Sequence, residues 1–143
     1  TLGHDDTVKK CLALFDEVTI AIAENKRKHC MFSLEDRLQM VQKTYENEPR
    51  VKVLAWDGVI VDLLKKENTR FYVRGLRNTV DFEYENADFY ASRDLDKEMI
   101  TLYLPCEKEH LHISSTLVKN CISFGKPFER YVPAAVYSYI TQA

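Results

Sequence analysis

Short apolar segments typical of β-strands alternate along this chain with segments of helical periodicity, and no other feature of the sequence restricts the fold as strongly. The segment 18–23 is continuously apolar, which is typical of a strand buried on both faces. The predicted strands cover residues 18–23, 51–56, 71–73 and 99–104. The predicted helices cover residues 8–15, 33–45, 59–66, 81–93, 114–124 and 133–139. This alternation predicts an α/β fold with a mostly parallel sheet.

The length of the chain favours a single domain over residues 1–143. A chain of 143 residues is long enough to bury one core. No Pro-, Gly- or Ser-rich linker, repeat or low-complexity segment divides it. The chain opens on a helix, whereas folds of this class usually open on a strand. We therefore expect the first, central strand of the sheet to be missing from this sequence.

Composition excludes several classes of protein. The net charge of −2 at pH 7 provides no general basic surface for nucleic acid, so any anion-binding site must be local. No apolar run approaches the roughly 18 residues that a membrane span needs, and we predict no membrane association. The cysteines are widely spaced and lack a C-x-x-C pair, which disfavours a zinc site and fits a reducing cytoplasm. They are Cys11, Cys30, Cys106 and Cys121.

An RGLR segment follows the third predicted strand, at the edge where open α/β sheets bind their ligands. Arg74 and Arg77 carry guanidinium groups, whose planar fork suits phosphate. Gly75 between them allows a turn with close backbone approach. The alternative interpretation is that the arginines form surface salt bridges to Asp81 or Glu85, which contribute little stability.

Two predicted helix starts carry groups that suit phosphate, because a helix N-terminus presents N–H groups and a partial positive charge. The sequence TLGH at 1–4 precedes the first helix, where Gly3 would let a ligand approach and His4 could donate a hydrogen bond. The alternative is a frayed terminus with an exposed histidine. The sequence ISST at 113–116 opens a later helix. N-capping explains one serine there, but not three hydroxyl residues in a row.

The remaining polar segments are weaker candidates. The basic loop 26–29 follows the first predicted strand, and it is either solvated charge or part of a site. His110 and His112 would share one face of an extended segment, but two histidines without a third ligand are weak evidence for metal. The sequence contains neither a Gly-x-x-x-x-Gly-Lys phosphate loop nor a Gly-x-Gly-x-x-Gly fingerprint. Cations and hydroxyls without a nucleophile favour direct phosphoryl or nucleotidyl transfer, in which catalysis is mainly positioning and charge stabilisation.

Taken together, these segments resemble the phosphopantetheine adenylyltransferase family of bacterial coenzyme A synthesis. The likeness covers essentially the whole chain, and it lies in the TLGH, FDEV, FSLEDR and ISSTLVK segments and in RGLR followed by DFEYE. The T-x-G-H and I-S-S-[ST] pieces are shared across a wider nucleotidyltransferase superfamily, whereas the last pair is more specific. The resemblance implies a single-domain Rossmann-like nucleotidyltransferase fold. It also implies in-line transfer of AMP from ATP to 4′-phosphopantetheine, with Mg²⁺ on the ATP and no metal ligand from protein side chains.

The resemblance further implies a role for each site residue. His4 would stabilise the pentacovalent α-phosphate, Lys28 would neutralise charge on the attacking and transferring phosphates, and Arg77 would hold the ATP phosphates; these are the implied catalytic residues. Phosphopantetheine would be bound by Lys28, Val59, Ile60 and Arg74. ATP would be bound by His4, Arg74, Gly75, Arg77, Glu85, Ile113, Ser114, Ser115 and Thr116.

The sequence departs from the family pattern at its beginning. The family starts with a strand and a Gly-[Ser/Thr]-Phe-Asp-Pro loop just before T-x-G-H, and neither is present here. We therefore expect the N-terminal part of the domain to be absent from this sequence. The resemblance also implies a cytoplasmic homohexamer that coenzyme A inhibits.

Two other functions fit the residue pattern. One is another nucleotidyltransferase of the superfamily, such as a cytidylyltransferase or a nicotinate-mononucleotide adenylyltransferase. The other is a regulator that binds a nucleotide or coenzyme A without catalysis.

Overall fold

The computed structural model describes residues 1–24 and 30–142. Its strands are β1 (Val18–Ala23), β2 (Val51–Trp56), β3 (Phe71–Leu76) and β4 (Ile100–Pro105). Its helices are α1 (Leu2–Leu14), α2 (Leu34–Thr44), α3 (Ile60–Lys66), α4 (Thr79–Leu95), α5 (Ser115–Ser123) and α6 (Ala134–Gln142), with 3₁₀ helices at Lys108–His110 and Glu129–Tyr131. Both strand pairs are parallel. The predicted α/β fold with parallel strands is therefore confirmed.

The chain groups into two compact units. The first unit consists of Thr1–Asp57 and Ile113–Ala143, and the second unit is Gly58–His112. The single-domain organisation over residues 1–143 stays a prediction. None of the described helices is both long enough and apolar enough to cross a membrane.

In the first unit, β1 and β2 pair in register from Val18 opposite Val51 to Ala23 opposite Trp56. Burial along β1 alternates, with Thr19 and the two alanines exposed. The prediction that β1 is buried on both faces is therefore wrong. A continuous apolar run does not distinguish one-sided from two-sided burial, because alanine and threonine are also compatible with an exposed position.

Hydrogen bonds between side chains join the helices of the first unit. The hydroxyl of Tyr139 on α6 donates to Asp36 Oδ1 on α2 at 2.9 Å. Asp36 is also part of a capping box, since its own N–H donates to Ser33 Oγ at 3.0 Å and its Oδ2 accepts from the Ser33 N–H at 3.1 Å. The hydroxyl of Tyr45 donates to the buried Asp5 at 2.8 Å. A buried cluster of Val118, Phe128 and Val132 provides the apolar core between α5 and α6.

The second unit contains the other parallel pair, with Phe71 opposite Ile100 at one end and Leu76 opposite Pro105 at the other. Its core is a cluster of Val61, Leu64 and Met99, against which Ile60, Tyr72 and Phe89 pack. These contacts bring α3 and α4 together with the strand pair.

Two boundaries differ from the sequence predictions in ways that matter for the site. β3 continues through Leu76, so Arg74 and Gly75 lie in extended strand backbone rather than in a turn. The prediction of a glycine turn was wrong because pairing with β4 keeps both residues in the sheet. α1 begins at Leu2 rather than at residue 8, which places His4 inside its first turn.

Candidate functional site

Arg74, near the carboxyl end of β3, forms a two-point ion pair with Glu85 on α4. Its Nε donates to Glu85 Oε2 at 2.8 Å and its Nη2 donates to Oε1 at 2.6 Å. Burial lowers the pKa of Arg74, but the Glu85 hydrogen bonds and the charge interactions with Tyr72, Glu85 and Asp88 outweigh it, and the net shift is upward. The Arg74 side chain is 41% exposed and that of Glu85 12% exposed. A fixed cation with one open side can therefore bind an anion without reorganising.

Aromatic residues lie beside this ion pair. The Arg74 guanidinium lies 5.5 Å from the centre of the Tyr72 ring, within the range of a cation–π contact. On β4, Tyr103 is the register partner of Arg74, and its ring meets that of Phe82 edge-on with centroids 5.5 Å apart. The Tyr72 ring limits the conformations available to the guanidinium.

Arg77 follows β3 and is held by Asp81 in the first turn of α4. Its Nε donates to Asp81 Oδ2 at 3.1 Å, its Nη2 to Oδ1 at 3.2 Å, and its backbone N–H to Oδ2 at 3.0 Å. The hydrogen bonds from Arg77 hold the pKa of Asp81 below its usual value. Asn78 caps the helix by accepting the Asp81 N–H at 2.9 Å. The Arg77 guanidinium thus lies at the N-terminus of α4. The positive charge of the arginine and the N–H groups of the helix terminus both favour binding of an anion.

His4 lies in the first turn of α1, with Thr1 at the N-cap. The Thr1 Oγ1 and His4 Nδ1 atoms are 3.1 Å apart, and the side chain is exposed. A hydrogen bond at Nδ1 orients the ring, and the other ring nitrogen then points away from Thr1. A methyl group at Gly3 would meet only the Thr1 hydroxyl, at 3.7 Å. Packing within the described residues therefore does not require this glycine.

Residues 113–116 lie at the start of α5, and they differ in burial and in hydrogen bonding. Ser114 is the N-cap, and its Oγ accepts the Leu117 N–H at 3.0 Å. Ser115 and Thr116 are exposed in the first turn. Ile113 is only 4% exposed, so its side chain belongs to the apolar interior. One hydroxyl caps the helix, and two hydroxyls face solvent beside first-turn N–H groups that have no partner within the helix.

The other predicted positions are placed as follows. Val59 is the N-cap residue of α3 and is 52% exposed. Ile60 opens α3 and packs against the core of the second unit. Gly75 is exposed within β3. Lys28 lies outside the described residues.

Comparison with known proteins identifies the family. A family model described as cytidylyltransferase-like matches residues 1–121. Proteins named phosphopantetheine adenylyltransferase from Flavobacterium johnsoniae and Flavobacterium psychrophilum are 42% and 43% identical over 136 residues, which covers 95% of this chain and 89% of each relative. One of the same name from Thermotoga neapolitana is 38% identical over 136 residues, which covers 95% of this chain and 84% of the relative. The chain belongs to the phosphopantetheine adenylyltransferase family.

Membership of the phosphopantetheine adenylyltransferase family confirms the family predicted from the sequence. It also confirms that the chain is a nucleotidyltransferase enzyme of coenzyme A biosynthesis. Enzymes of this ATP-using type are expected to work with small-molecule substrates and a divalent metal ion. Across residues 1–24 and 30–142, no group of three or more His, Cys, Asp or Glu side chains is arranged to hold a metal ion.

Tyr72 and Tyr103 of this phosphopantetheine adenylyltransferase family member were not among the predicted site residues. Both lie in predicted strands, at 71–73 and 99–104. The available signal was their spacing, because residues two apart on a strand share a face. Tyr72 is two residues before Arg74, and Tyr103 lies opposite Arg74 on the neighbouring strand.

Proposed function

We propose that this protein transfers the AMP group of ATP to 4′-phosphopantetheine, releasing pyrophosphate and forming dephospho-coenzyme A. The observation that carries the proposal is the pair of arginines at the carboxyl end of β3, each held by its own carboxylate on α4, in a chain of this family. Two polyanions must approach each other in this reaction, so fixed cations are the groups that it most needs.

The reaction needs no covalent enzyme intermediate. A phosphate oxygen of phosphopantetheine attacks the α-phosphorus of ATP, and a new phosphorus–oxygen bond forms. The bond from the α-phosphorus to the oxygen that bridges to the β-phosphate breaks, and pyrophosphate leaves with the electron pair. The negative charge that accumulates around the α-phosphorus is what the protein must stabilise.

The residues of the second unit supply binding groups for both substrates. We assign Arg74 to the phosphate region of phosphopantetheine, with Glu85 as the group that orients it. Arg77 binds the ATP phosphates, oriented by Asp81. The exposed Gly75 permits close approach of the nucleotide to the strand backbone. Because Glu85 uses both oxygens on Arg74, its effect on the ATP site is exerted through the arginine.

Val59 and Ile60 provide apolar contact for the pantetheine arm. Val59 is half exposed and available for this purpose. Ile60 packs against the core of the second unit, so only the remaining part of its side chain contacts the pantetheine arm.

The residues of the first unit act on the ATP. His4 donates a hydrogen bond to the α-phosphate as it becomes pentacovalent. Gly3 leaves room for that phosphate, which accounts for a glycine in the first turn of a helix where packing does not require one. Lys28 neutralises charge on the attacking and transferring phosphates.

The start of α5 holds the ATP tail. Ser115 and Thr116 offer exposed hydroxyls, and the N–H groups of the first turn are directed at the same anion. Ser114 is already a cap and shapes the helix start. The side chain of Ile113 is buried, so its contribution to ATP binding comes from its main chain.

Mg²⁺ is the divalent ion that we expect to accompany ATP. The carboxylates nearest the candidate cations, Asp81 and Glu85, are already engaged by Arg77 and Arg74. The donor set therefore fits an ion held by triphosphate oxygens and water rather than by these side chains. When bound, Mg²⁺ supplies charge neutralisation of the triphosphate.

The family resemblance also bears on the assembly, regulation and location of the protein. By likeness to the family, we propose a cytoplasmic homohexamer whose activity coenzyme A inhibits. Size-exclusion chromatography with light scattering tests the first point, and inhibition kinetics against both substrates test the second.

Pyrophosphate release tests the function directly. The purified protein is given ATP and Mg²⁺ with phosphopantetheine, with nicotinate mononucleotide, or with no acceptor, and CTP replaces ATP in a parallel series. We expect rapid release only with ATP and phosphopantetheine. Release only with CTP or nicotinate mononucleotide would identify another activity of the superfamily. Nucleotide binding by calorimetry without any release would identify a regulator.

A variant of His4 tests the assignment of the catalytic group. His4→Ala is expected to lower kcat by about 10²–10³-fold, the usual effect of losing one donor to a transition-state charge. The control is Lys9→Ala, which removes an exposed side chain from the same helix. Equal activity of the two variants would contradict the role of His4.

A further inference from the structure

Two hydroxyl oxygens of β4 are shielded from solvent and have no hydrogen-bond partner within residues 1–24 and 30–142. They are Thr101 Oγ1 and Tyr103 Oη. Buried polar groups in folded proteins are nearly always paired, so an unpaired hydroxyl requires an explanation. A phenylalanine at position 103 would fill the same space without an unpaired oxygen. The hydroxyl of Tyr103 therefore destabilises the free protein relative to that alternative.

The register of the strands places Tyr103 beside the proposed anion site. Tyr103 pairs with Arg74 across the parallel strands, and Thr101 pairs with Tyr72. Register partners lie on the same face of a sheet, and residues two apart on a strand share that face. Tyr103 is thus next to the arginine on the face that α4 covers through Glu85. Thr101 lies two register positions further from the carboxyl edge of the strands, where ligands of such sheets bind.

The surroundings hold the tyrosine in place and keep it protonated. The Phe82 ring contacts the Tyr103 ring edge-on. Burial raises the pKa of Tyr103, and the negative charges of Glu85 and Asp88 raise it further. A protonated hydroxyl donates hydrogen bonds, and its complement is an oxygen acceptor such as a phosphate or an amide carbonyl.

We propose that Tyr103 is a substrate-binding residue whose hydroxyl donates a hydrogen bond to an oxygen of the acceptor substrate bound at Arg74. The identity of that substrate rests on the proposed function, so the chemical class is a phosphorylated molecule with amide carbonyls. Binding of the acceptor satisfies the hydroxyl, which explains why a tyrosine stands where phenylalanine would be more stable in the free protein.

Tyr103→Phe tests the proposal because it removes only the oxygen atom. We expect the variant to unfold at the same or a higher temperature than the wild type. We also expect its calorimetric Kd for phosphopantetheine to rise roughly ten-fold, the effect of losing one hydrogen bond, while its Kd for ATP is unchanged. An unchanged Kd for phosphopantetheine would overturn the proposal and would assign the hydroxyl to a bound water.

Thr101→Val is the matched control, since it removes the other unpaired hydroxyl of the same strand. It should leave phosphopantetheine binding at the wild-type level. If both variants weakened binding equally, the effect would come from the strand rather than from Tyr103, and the proposal would be overturned.

Pantetheine without its phosphate identifies the accepting oxygen. A Tyr103→Phe effect that persists with pantetheine points to an amide carbonyl, and one confined to phosphopantetheine points to the phosphate; both outcomes support the hydrogen bond.

Failure of this proposal is distinguishable from failure of the proposed function. Wild-type protein that releases pyrophosphate with phosphopantetheine, together with unaltered binding by Tyr103→Phe, overturns only the role of Tyr103. Wild-type protein that neither binds nor uses phosphopantetheine overturns the function and the substrate class together.

Discussion

Arg74 on β3 and Glu85 on α4 are joined through both carboxylate oxygens, with distances of 2.8 and 2.6 Å from Nε and Nη2. The pair connects the edge of the parallel strands to the helix that follows them. It therefore serves two purposes, because it stabilises the second unit and fixes the direction of a cation that we assign to the acceptor phosphate.

Glu85→Gln should impair both stability and acceptor binding. The change leaves a partly buried guanidinium without its counter-charge, and we expect a loss of about 1–2 kcal/mol in the free energy of unfolding. The KM for phosphopantetheine should rise more than the KM for ATP, since Arg74 loses its orientation. Urea denaturation and steady-state kinetics measure the two effects. Glu83→Gln is the control, because Glu83 is exposed on the same helix and should tolerate the change.

Arg77→Ala should impair ATP use far more than folding. Its ion pair with Asp81 is close to the surface and is worth about 1 kcal/mol or less. A cation that contacts the transferring phosphates is worth about 10²-fold or more in kcat/KM for ATP. Arg70→Ala is the control, because Arg70 precedes the amino end of the same strand and is exposed. An Arg77→Ala protein with normal kinetics would show that the residue is structural.

Serine variants at the start of α5 should separate capping from ligand binding. Ser114→Ala removes the oxygen that accepts the Leu117 N–H, and we expect a loss of about 1 kcal/mol in stability. Ser115→Ala removes an exposed hydroxyl and should leave the melting temperature unchanged while raising the Kd for ATP. Thermal denaturation with and without ATP distinguishes the two. Equal melting temperatures for both variants would contradict the capping role of Ser114.

Acid should weaken the contact between α2 and α6. Hydrogen bonds from Ser33 and Tyr139 lower the pKa of Asp36 in the folded protein. A carboxyl whose pKa is depressed by folding stabilises the protein above its unfolded pKa of about 4, and that contribution is lost as the pH falls through the lower folded value. Asp36→Asn should therefore be less stable than the wild type at pH 7, and the difference should shrink below about pH 4.

Melting temperatures measured from neutral to acidic pH check this expectation. Glu46→Gln provides the control, because Glu46 is exposed and its replacement should leave the pH profile unchanged. A constant difference between Asp36→Asn and the wild type at every pH would show that the carboxyl acts only through its shape.

The sequence alone determined the order of the helices and strands and, to within two residues, most of their bounds. The strands β1 and β2 were predicted with the ends that the structure has, at 18–23 and 51–56, because a short apolar run is a local signal. The capping box at Ser33 and Asp36 was equally local and is present. The sequence motifs also predicted the family and the types of residue that phosphate chemistry needs.

Tertiary structure decided where β3 ends and what the arginines do. An arginine and a glycine are not typical strand residues, and only pairing with Leu104 and Pro105 of β4 holds Gly75 and Leu76 in the sheet. Asp81 and Glu85 are one helical turn apart and share a face of α4, so the sequence left open which carboxylate meets which arginine. The position of α4 over the strands settles it, and the same packing leaves the Tyr103 hydroxyl without a partner among the residues that the structure describes. Backbone pairing and side-chain partners depend on residues distant in sequence, whereas element type depends on neighbours.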